Sequence, residues 1–387
     1  MSAFACPVVR VKIEPHPNGD QIELARVGDY LSVVKKGQFK DDDLAVYIPE
    51  QSVLPEWMLK QLGFWDEVNG KGKLSGGPGN RVRAARLRGV VSQGLLYPVT
   101  HEDAQFCGQL DLLANDTEET AVEFGEDVAV FLGIVKYEPA VPSHMAGRVV
   151  GVDFGATHGY DFENLKKTPT LFDDGEDVVI TEKIHGTLMS ISVVPTEQSN
   201  DKYYRGRVVV TSKGMGARGM ILDFNDDTNL YIQTAKKHGL MDSMLDSFGE
   251  SVDEEGRPVF LFGEVFGKTL GGSGVQDLTY TNEPLDYRAF DTCIGNRGNE
   301  RYAPHDVFME VCKGLNIKPV PVLYRGPYSK EIVLEHTDGK TTLGNCIREG
   351  VVVKSANEDR SRHFGRKIAK SVSNDYLLRK GNTTEFN

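Results

Sequence analysis

Thr181-Glu182-Lys183-Ile184-His185-Gly186-Thr187 is the stretch that decides how this chain is understood. The β-prone run Asp177-Val178-Val179-Ile180 precedes it, so a strand delivers a Lys at its end and a Gly follows three positions later. Alone, such a Lys is a solvated surface charge. Five later segments change the weighing. Thr211-Ser212-Lys213-Gly214-Met215-Gly216 follows the apolar run of GRVVV. Phe262-Gly263-Glu264-Val265-Phe266-Gly267 sets one carboxylate in an apolar strand. Asp286-Tyr287-Arg288-Ala289-Phe290-Asp291 is an aromatic strand. Glu349-Gly350-Val351-Val352-Val353-Lys354 puts a second carboxylate on a Val run. Arg366-Lys367-Ile368-Ala369-Lys370 closes the series with basic residues.

In order and type these six segments resemble the motifs of the covalent nucleotidyltransferase superfamily, which holds polynucleotide ligases and mRNA capping enzymes. The resemblance runs from about residue 178 to the end. It implies Lys183 as the nucleophile that takes up a nucleotide, with His185 and Lys370 beside it in catalysis. It implies nucleotide contacts from Glu182, Gly186, Lys213, Glu264 and Phe290. Glu349, Lys354 and Lys367 complete that set.

The chemistry explains why such residues belong together. A Lys that attacks an α-phosphorus must be neutral, yet its ordinary pKa is about 10.4. Carboxylates alone would hold the proton on it. A divalent cation between them reverses the local field and stabilises negative charge on the phosphate. Glu264 and Glu349 therefore read as holders of Mg2+ or Mn2+ and its waters, or of the ribose. Lys354, Lys367 and Lys370 complement phosphate charge. Phe290 offers a flat apolar face for a purine. Tyr287, three positions away, lies on the opposite face of a regular strand, and the family motif favours Phe290.

Three features choose among the members. K-x-H-G, with His185, is similar to the branch of RNA ligases typified by phage RNA ligase 2, where DNA ligases and most capping enzymes have K-x-D-G. Lys370 stands 17 residues from the end of the 387-residue sequence, which leaves no space there for the OB barrel of DNA ligases and capping enzymes. A barrel-like module lies in front instead. VKIEPHPNGDQIELARVGDYLSVVKKGQFKDDDLAVYIPEQSVLPE and RLRGVVSQGLLYP look like the amino-terminal OB module of the fifth RNA ligase family, which is ATP-dependent. That resemblance implies sealing of a 3′-OH to a 5′-phosphate at a nick in duplex RNA, through lysyl-AMP. Two departures stand out. Leu188 occupies the place of an Asn that contacts the ribose in the phage branch. The last motif, ordinarily K-x-K, here reads Lys367-x-x-Lys370.

Short β-prone runs separated by Pro17-Asn18-Gly19-Asp20, Gly28-Asp29 and Asp41-Asp42-Asp43 independently suggest a small barrel or sandwich in the first third. PEWMLKQLGFW, from Pro55, reads as a helix opened by Pro. NGKGKLSGGPGN reads as a Gly-rich loop, and RVRAARLRGVVSQGLLYPV and EDVAVFLGIV as strands. The Pro-containing stretch Tyr137 to Ser143 disfavours helix and central strand alike. The expected organisation is α+β: an OB-like barrel over 1–136, linker and domain start over 137–170, and a nucleotidyltransferase domain of antiparallel sheets with helices over 171–387.

With Lys+Arg 44 against Asp+Glu 56 the net charge is −12, which argues against non-specific coating of nucleic acid. Local basic stretches remain. Lys71, Lys73, Arg81, Arg83, Arg86 and Arg88 fall between residues 68 and 101, which hold no Asp or Glu. Alternation would put Arg81 and Arg83 on one strand face. These six are candidate RNA contacts, with a solvated strand face as the plainer reading for half of them. No apolar run approaches a membrane span and the amino terminus lacks the pattern of a signal peptide, so a cytoplasmic protein is expected. The five Cys fit neither a disulfide framework nor a zinc site. The expected cofactors are ATP and Mg2+ or Mn2+, the expected partner RNA; nothing in the sequence names a protein partner. Guanylyl transfer in capping, and RNA binding without catalysis, are the competing functions.

Overall fold

Alternation along Tyr30–Lys35 buries Tyr30, Ser32 and Val34 and leaves Leu31, Val33 and Lys35 more open, the pattern of a half-buried strand. It pairs antiparallel with Ile22–Val27 across a turn at Gly28, whose φ of 56° suits glycine. Lys12–Pro15 completes that meander. A second sheet places Leu44–Ile48 between Val8–Arg10 and Leu95–Pro98. Val11, Ala25, Tyr30, Val34, Ala45, Tyr47 and Leu96 fill the core between them. The Ser32 hydroxyl donates to the Gln93 carbonyl at 2.7 Å, and Val33 N–H donates to Ser92 Oγ at 2.9 Å, tying the meander to the segment that leads into Leu95–Pro98.

The computed structural model describes residues 4–74, 81–99, 125–138, 143–195, 206–281 and 283–379. Residues 75–80 of the Gly-rich stretch, 139–142 of the Pro-containing stretch, and Cys107 lie outside these. The chain divides into two compact units, one of residues 2–139, 166–169 and 377–387, the other of 140–165 and 170–376. Much of the stretch read as linker and domain start therefore belongs to the second unit. Among the described residues no helix is long and apolar enough to cross a membrane.

Two expectations for the first unit change. EDVAVFLGIV is strand only at its last residue, Val135: Leu132 N–H bonds the Val128 carbonyl at 3.0 Å in a helical turn, and the Asp127 carboxylate accepts from Ala129 N–H at 3.0 Å at its start. The buried residues Val128, Ala129 and Leu132 carry helical spacing, which a short apolar run conceals. In RVRAARLRGVV regular strand begins only at Ala85: Ala85–Leu87 is hairpinned to Val90–Ser92. Arg81 and Arg83 precede it and share no strand face.

The second unit is built on two antiparallel sheets. One has the order Val322–Pro327, Asp177–Lys183, Gly350–Ser355, Ile368–Val372. The other runs Arg207–Ser212, Thr187–Val194, Val259–Phe266, Asp286–Ile294, Arg301–Tyr302. Helices Leu230–Lys237, Leu240–Glu255 and His305–Gly314 cover the outer face of the five-stranded sheet, burying Met189, Ile191, Leu261 and Tyr287. Helix Lys330–Thr337 covers the outer face of the other, over Val178, Ile180, Val351 and Val353. The inner faces meet through Phe260, Phe262, Leu188 and Phe290 on one side and Val352 and Ile368 on the other.

Candidate active site

Register fixes which side chains look into the slot between the sheets. Lys183 pairs with Gly350, Thr181 with Val352, and Val352 with Lys370. Paired residues share a face, so Lys183, Lys354 and Lys370 all point inward. Across the slot, Leu188 pairs with Glu264 and Glu264 with Arg288. A bulge between Phe262 and Gly263 leaves Phe290 without a partner in the ladder. The extra residue lets two successive side chains, Phe290 and Asp291, face the slot. Tyr287 packs in the core on the other side of the sheet.

Lys183 donates to Glu349 Oε1 in a close ion pair, and Glu349 is almost fully buried. The other oxygen of Glu349 faces His185 Nδ1 at 3.1 Å, and Tyr376 Oη is 3.0 Å from the same nitrogen. Tyr280 Oη donates to the Lys183 carbonyl at 3.2 Å and accepts from Glu349 N–H at 2.5 Å. It thus holds the nucleophile's backbone to that of its carboxylate partner. Gly186 is required by space: a Cβ there would lie 2.3 Å from the Val265 carbonyl oxygen and 2.9 Å from Glu264 Cγ.

Burial pushes the Glu264 carboxyl up to about 8; Lys183 opposes the shift and Glu349 adds to it. A folded pKa above the unfolded value means that the native state holds the extra proton, so stability falls as pH rises from about 4.5 to 8. Glu264→Gln is therefore expected to raise the melting temperature at pH 9, without divalent cation, and to change it little at pH 5. Parallel melting curves against pH for the two proteins check this; equal offsets at both pH values would contradict it.

The remaining expected residues divide. Lys213 opens a short helix, Lys213–Ala217, and pairs with Asp161 at 3.0 Å. Lys370 N–H donates to the Glu163 carbonyl at 3.0 Å, and its own carbonyl accepts from Leu165 N–H at 2.8 Å. The segment Tyr160–Leu165, read from sequence as part of a linker stretch, is thus a wall of the slot. Tyr160 packs on Phe262 and Phe290 with ring centroids 4.7 and 5.1 Å away. Lys354 is inward but engaged, 3.2 Å from Asp291 and 2.9 Å from Glu358. Arg366 joins them at 2.5 Å from both carboxylates. Burial raises the Asp291 carboxyl, but Arg366 and Lys354 outweigh it and hold it below the usual range. Lys354 therefore completes a neutral buried network rather than standing open to phosphate.

Two expected contacts are not brought to the cluster. Glu182 faces the other side of its strand, where the Thr341 hydroxyl donates to it and Thr342 donates through N–H at 2.9 Å and hydroxyl at 2.7 Å. Lys367 pairs with Glu176 at 2.7 Å. Its offset of three from Lys370 sends it to the opposite face, and Ile368 takes the inward position. Of the basic residues in the first unit, Lys71, Lys73, Arg86 and Arg88 are exposed and Arg83 is half-buried. Arg81 departs from the expected RNA contact: it is only 4 % exposed, with its guanidinium 4.3 Å from the Tyr137 ring centroid.

Sequence reasoning missed Asp277, Tyr280 and Tyr376, which carry no local signal. Asp291 and Arg366 stood inside the quoted motifs without a role.

An RNA ligase family model matches residues 176–372, just over half of the chain, including every strand of the two sheets that enclose the slot. The chain belongs to the RNA ligase family. An OB-fold domain model matches residues 7–99 of this ligase. Among solved structures, Naegleria gruberi RNA ligase with PPi is similar at 24 % identity and a TM-score of 0.70, over 97 % of this chain and 98 % of that one. A variant of that ligase with AMP and Mn matches at 23 % identity and a TM-score of 0.69, over the same shares. The likeness establishes the fold: mixed α+β, an OB-fold domain followed by a ligase domain of antiparallel sheets. No curated protein sequence matches the ligase.

Proposed function

We propose that this RNA ligase is ATP-dependent and joins a 3′-OH RNA end to a 5′-phosphate end at nicks, through a lysyl-AMP intermediate on Lys183. The observation that carries the reading is the inward Lys183 held by Glu349 in a slot that also presents Glu264, Lys370 and the ring of Phe290. Support for ATP comes also from structures of the similar N. gruberi ligase with ATP and Mn.

An ammonium paired to a carboxylate is not a nucleophile. Binding of nucleotide must therefore part Lys183 from Glu349 and release one Nζ proton to solvent, after which the Nζ lone pair attacks the α-phosphorus and pyrophosphate leaves. The P–N bond so formed breaks when a 5′-phosphate oxygen takes the AMP. The RNA 3′-OH then attacks that 5′-phosphate and AMP departs. Lys370 complements the phosphate charge in these transfers, and Phe290 covers one face of the base.

Among the described residues no three His, Cys, Asp or Glu side chains form a metal cage. Mg2+ is ordinarily held by one or two carboxylates together with substrate phosphates and water. Glu264 and Glu349 are the candidates, since the raised Glu264 is a carboxyl whose charge a cation would stabilise. When bound, such a cation supplies Lewis-acid stabilisation of phosphate charge. Incubation with α-labelled ATP and either metal tests the reading: label on the protein from ATP, and not from GTP, is expected, and preferential labelling by GTP would favour capping-type transfer.

The exposed Arg86 and Arg88 at the hairpin tip are proposed to contact RNA phosphates. Their joint replacement by Ala is expected to lower the slope of log affinity against log salt by about 2. Arg81→Ala is expected to leave that slope unchanged and to lower the melting temperature. A salt titration of RNA binding by the three proteins distinguishes them.

A further inference from the structure

Three backbone or side-chain groups of the nucleophile motif are gripped by one short segment of the connection between strands Val259–Phe266 and Asp286–Ile294. Gln276 Nε2 donates to the Gly186 carbonyl at 3.2 Å. Asp277 Oδ1 lies 3.0 Å from His185 Nε2. Tyr280 Oη reaches the Lys183 carbonyl. His185 is nearly fully buried, whereas the Asp277 side chain is 37 % exposed. The ring is thus suspended between two carboxylates, Asp277 on Nε2 and Glu349 on Nδ1, with Tyr376 also at Nδ1.

We propose that Asp277 is a positioning residue for the ligation reaction: it fixes the His185 ring so that Nδ1 meets Glu349, the partner of Lys183. This rests on the ligase reading of the slot. An imidazole with one nitrogen unanchored turns about its Cβ–Cγ bond, and both rotamers are then populated. A carboxylate on the distal nitrogen selects one, as outer partners of working histidines generally do. The chain Asp277, His185, Glu349, Lys183 thereby links a loop side chain to the nucleophile. Gln276 and Tyr280 hold the backbone on either side, so the loop determines both where the ring sits and which way it faces.

The test uses the full-length protein with Asp277→Ala, Asp277→Asn, His185→Ala and the Asp277→Ala/His185→Ala pair. First, without substrate, proteins labelled with 15N at histidine report the His185 ring nitrogens, assigned by their loss in His185→Ala. A changed His185 signal is expected in Asp277→Ala, and a restored one in Asp277→Asn, whose amide oxygen accepts the same hydrogen bond. Second, single-turnover transfer of AMP from adenylylated enzyme to a nicked RNA is measured. Asp277→Ala is expected to lose about 10-fold or more, Asp277→Asn to stay within a few-fold of wild type, and the pair to be no slower than His185→Ala alone. An unaltered His185 signal in Asp277→Ala, an Asn variant as slow as Ala, or multiplicative losses in the pair would each overturn the proposal. A wild-type protein that takes no label from ATP would overturn the ligase reading and this inference with it. A labelled wild type with an unimpaired Asp277→Ala would overturn this inference alone.

Discussion

Lys183→Ala is expected to take up no label from α-labelled ATP under conditions where the wild-type protein is labelled to completion. The covalent step needs an amine at the end of the Asp177–Lys183 strand. The other inward lysines do not substitute for it. Lys354 is bound between Asp291 and Glu358, and Lys370 lies on a different strand, two residue pairs across the sheet. The loss should be total rather than partial, because a methyl group supplies no nucleophile at all. Removal of Lys183 also takes away one partner of the buried Glu349, so some change in melting temperature is expected alongside. Gel separation of the labelled proteins, normalised to folded protein, is the measurement, and a labelled Lys183→Ala protein would remove the basis for the whole assignment.

Glu349→Gln is expected to lose on the order of 10²-fold or more in lysyl-AMP formation. Gln keeps the shape and some hydrogen bonds, so the fold should persist. It cannot offer carboxylate oxygens to both Lys183 and His185, and it brings no charge to a cation. Glu264→Ala should show the same dependence on divalent metal with a smaller loss, since Glu264 is less enclosed. Labelling rates over a titration of Mg2+ and Mn2+, with melting temperatures measured in parallel, check both variants. Full activity of Glu349→Gln across the titration would contradict the role given to it.

Motif resemblance gathered the candidate residues from the sequence, and strand alternation and register explain why most of them meet in one slot. Once DVVITEK and EGVVVK pair with Lys183 opposite Gly350, the inward position of Lys354 follows. The same alternation, applied to Lys367 and Lys370, puts the two lysines on opposite faces and so sends Lys367 outward. Glu182, beside the nucleophile, is outward for that reason too. The bulge that turns both Phe290 and Asp291 inward could not be read, since nothing local marks it. Nor could Asp277, which meets His185 across 92 residues, or Tyr376, which meets it across 191. Such contacts depend on where loops fall after the sheets have formed. Arg81 misled for a different reason: charge predicts solvent exposure only until an aromatic ring offers its face to a guanidinium.

The central claim is that nucleotide passes from ATP through Lys183 to an RNA end that is then joined. A pulse–chase measurement tests it most directly. The full-length protein is labelled with α-labelled ATP and divalent metal, freed of excess nucleotide, and mixed with duplex RNA carrying a nick with 3′-OH and 5′-phosphate ends. The label is expected to leave the protein, appear on the RNA 5′ end, and emerge as free AMP as the joined strand accumulates in equal amount. Label that stays on the protein in the presence of the nick, or strand joining with no transfer of label, would contradict the account.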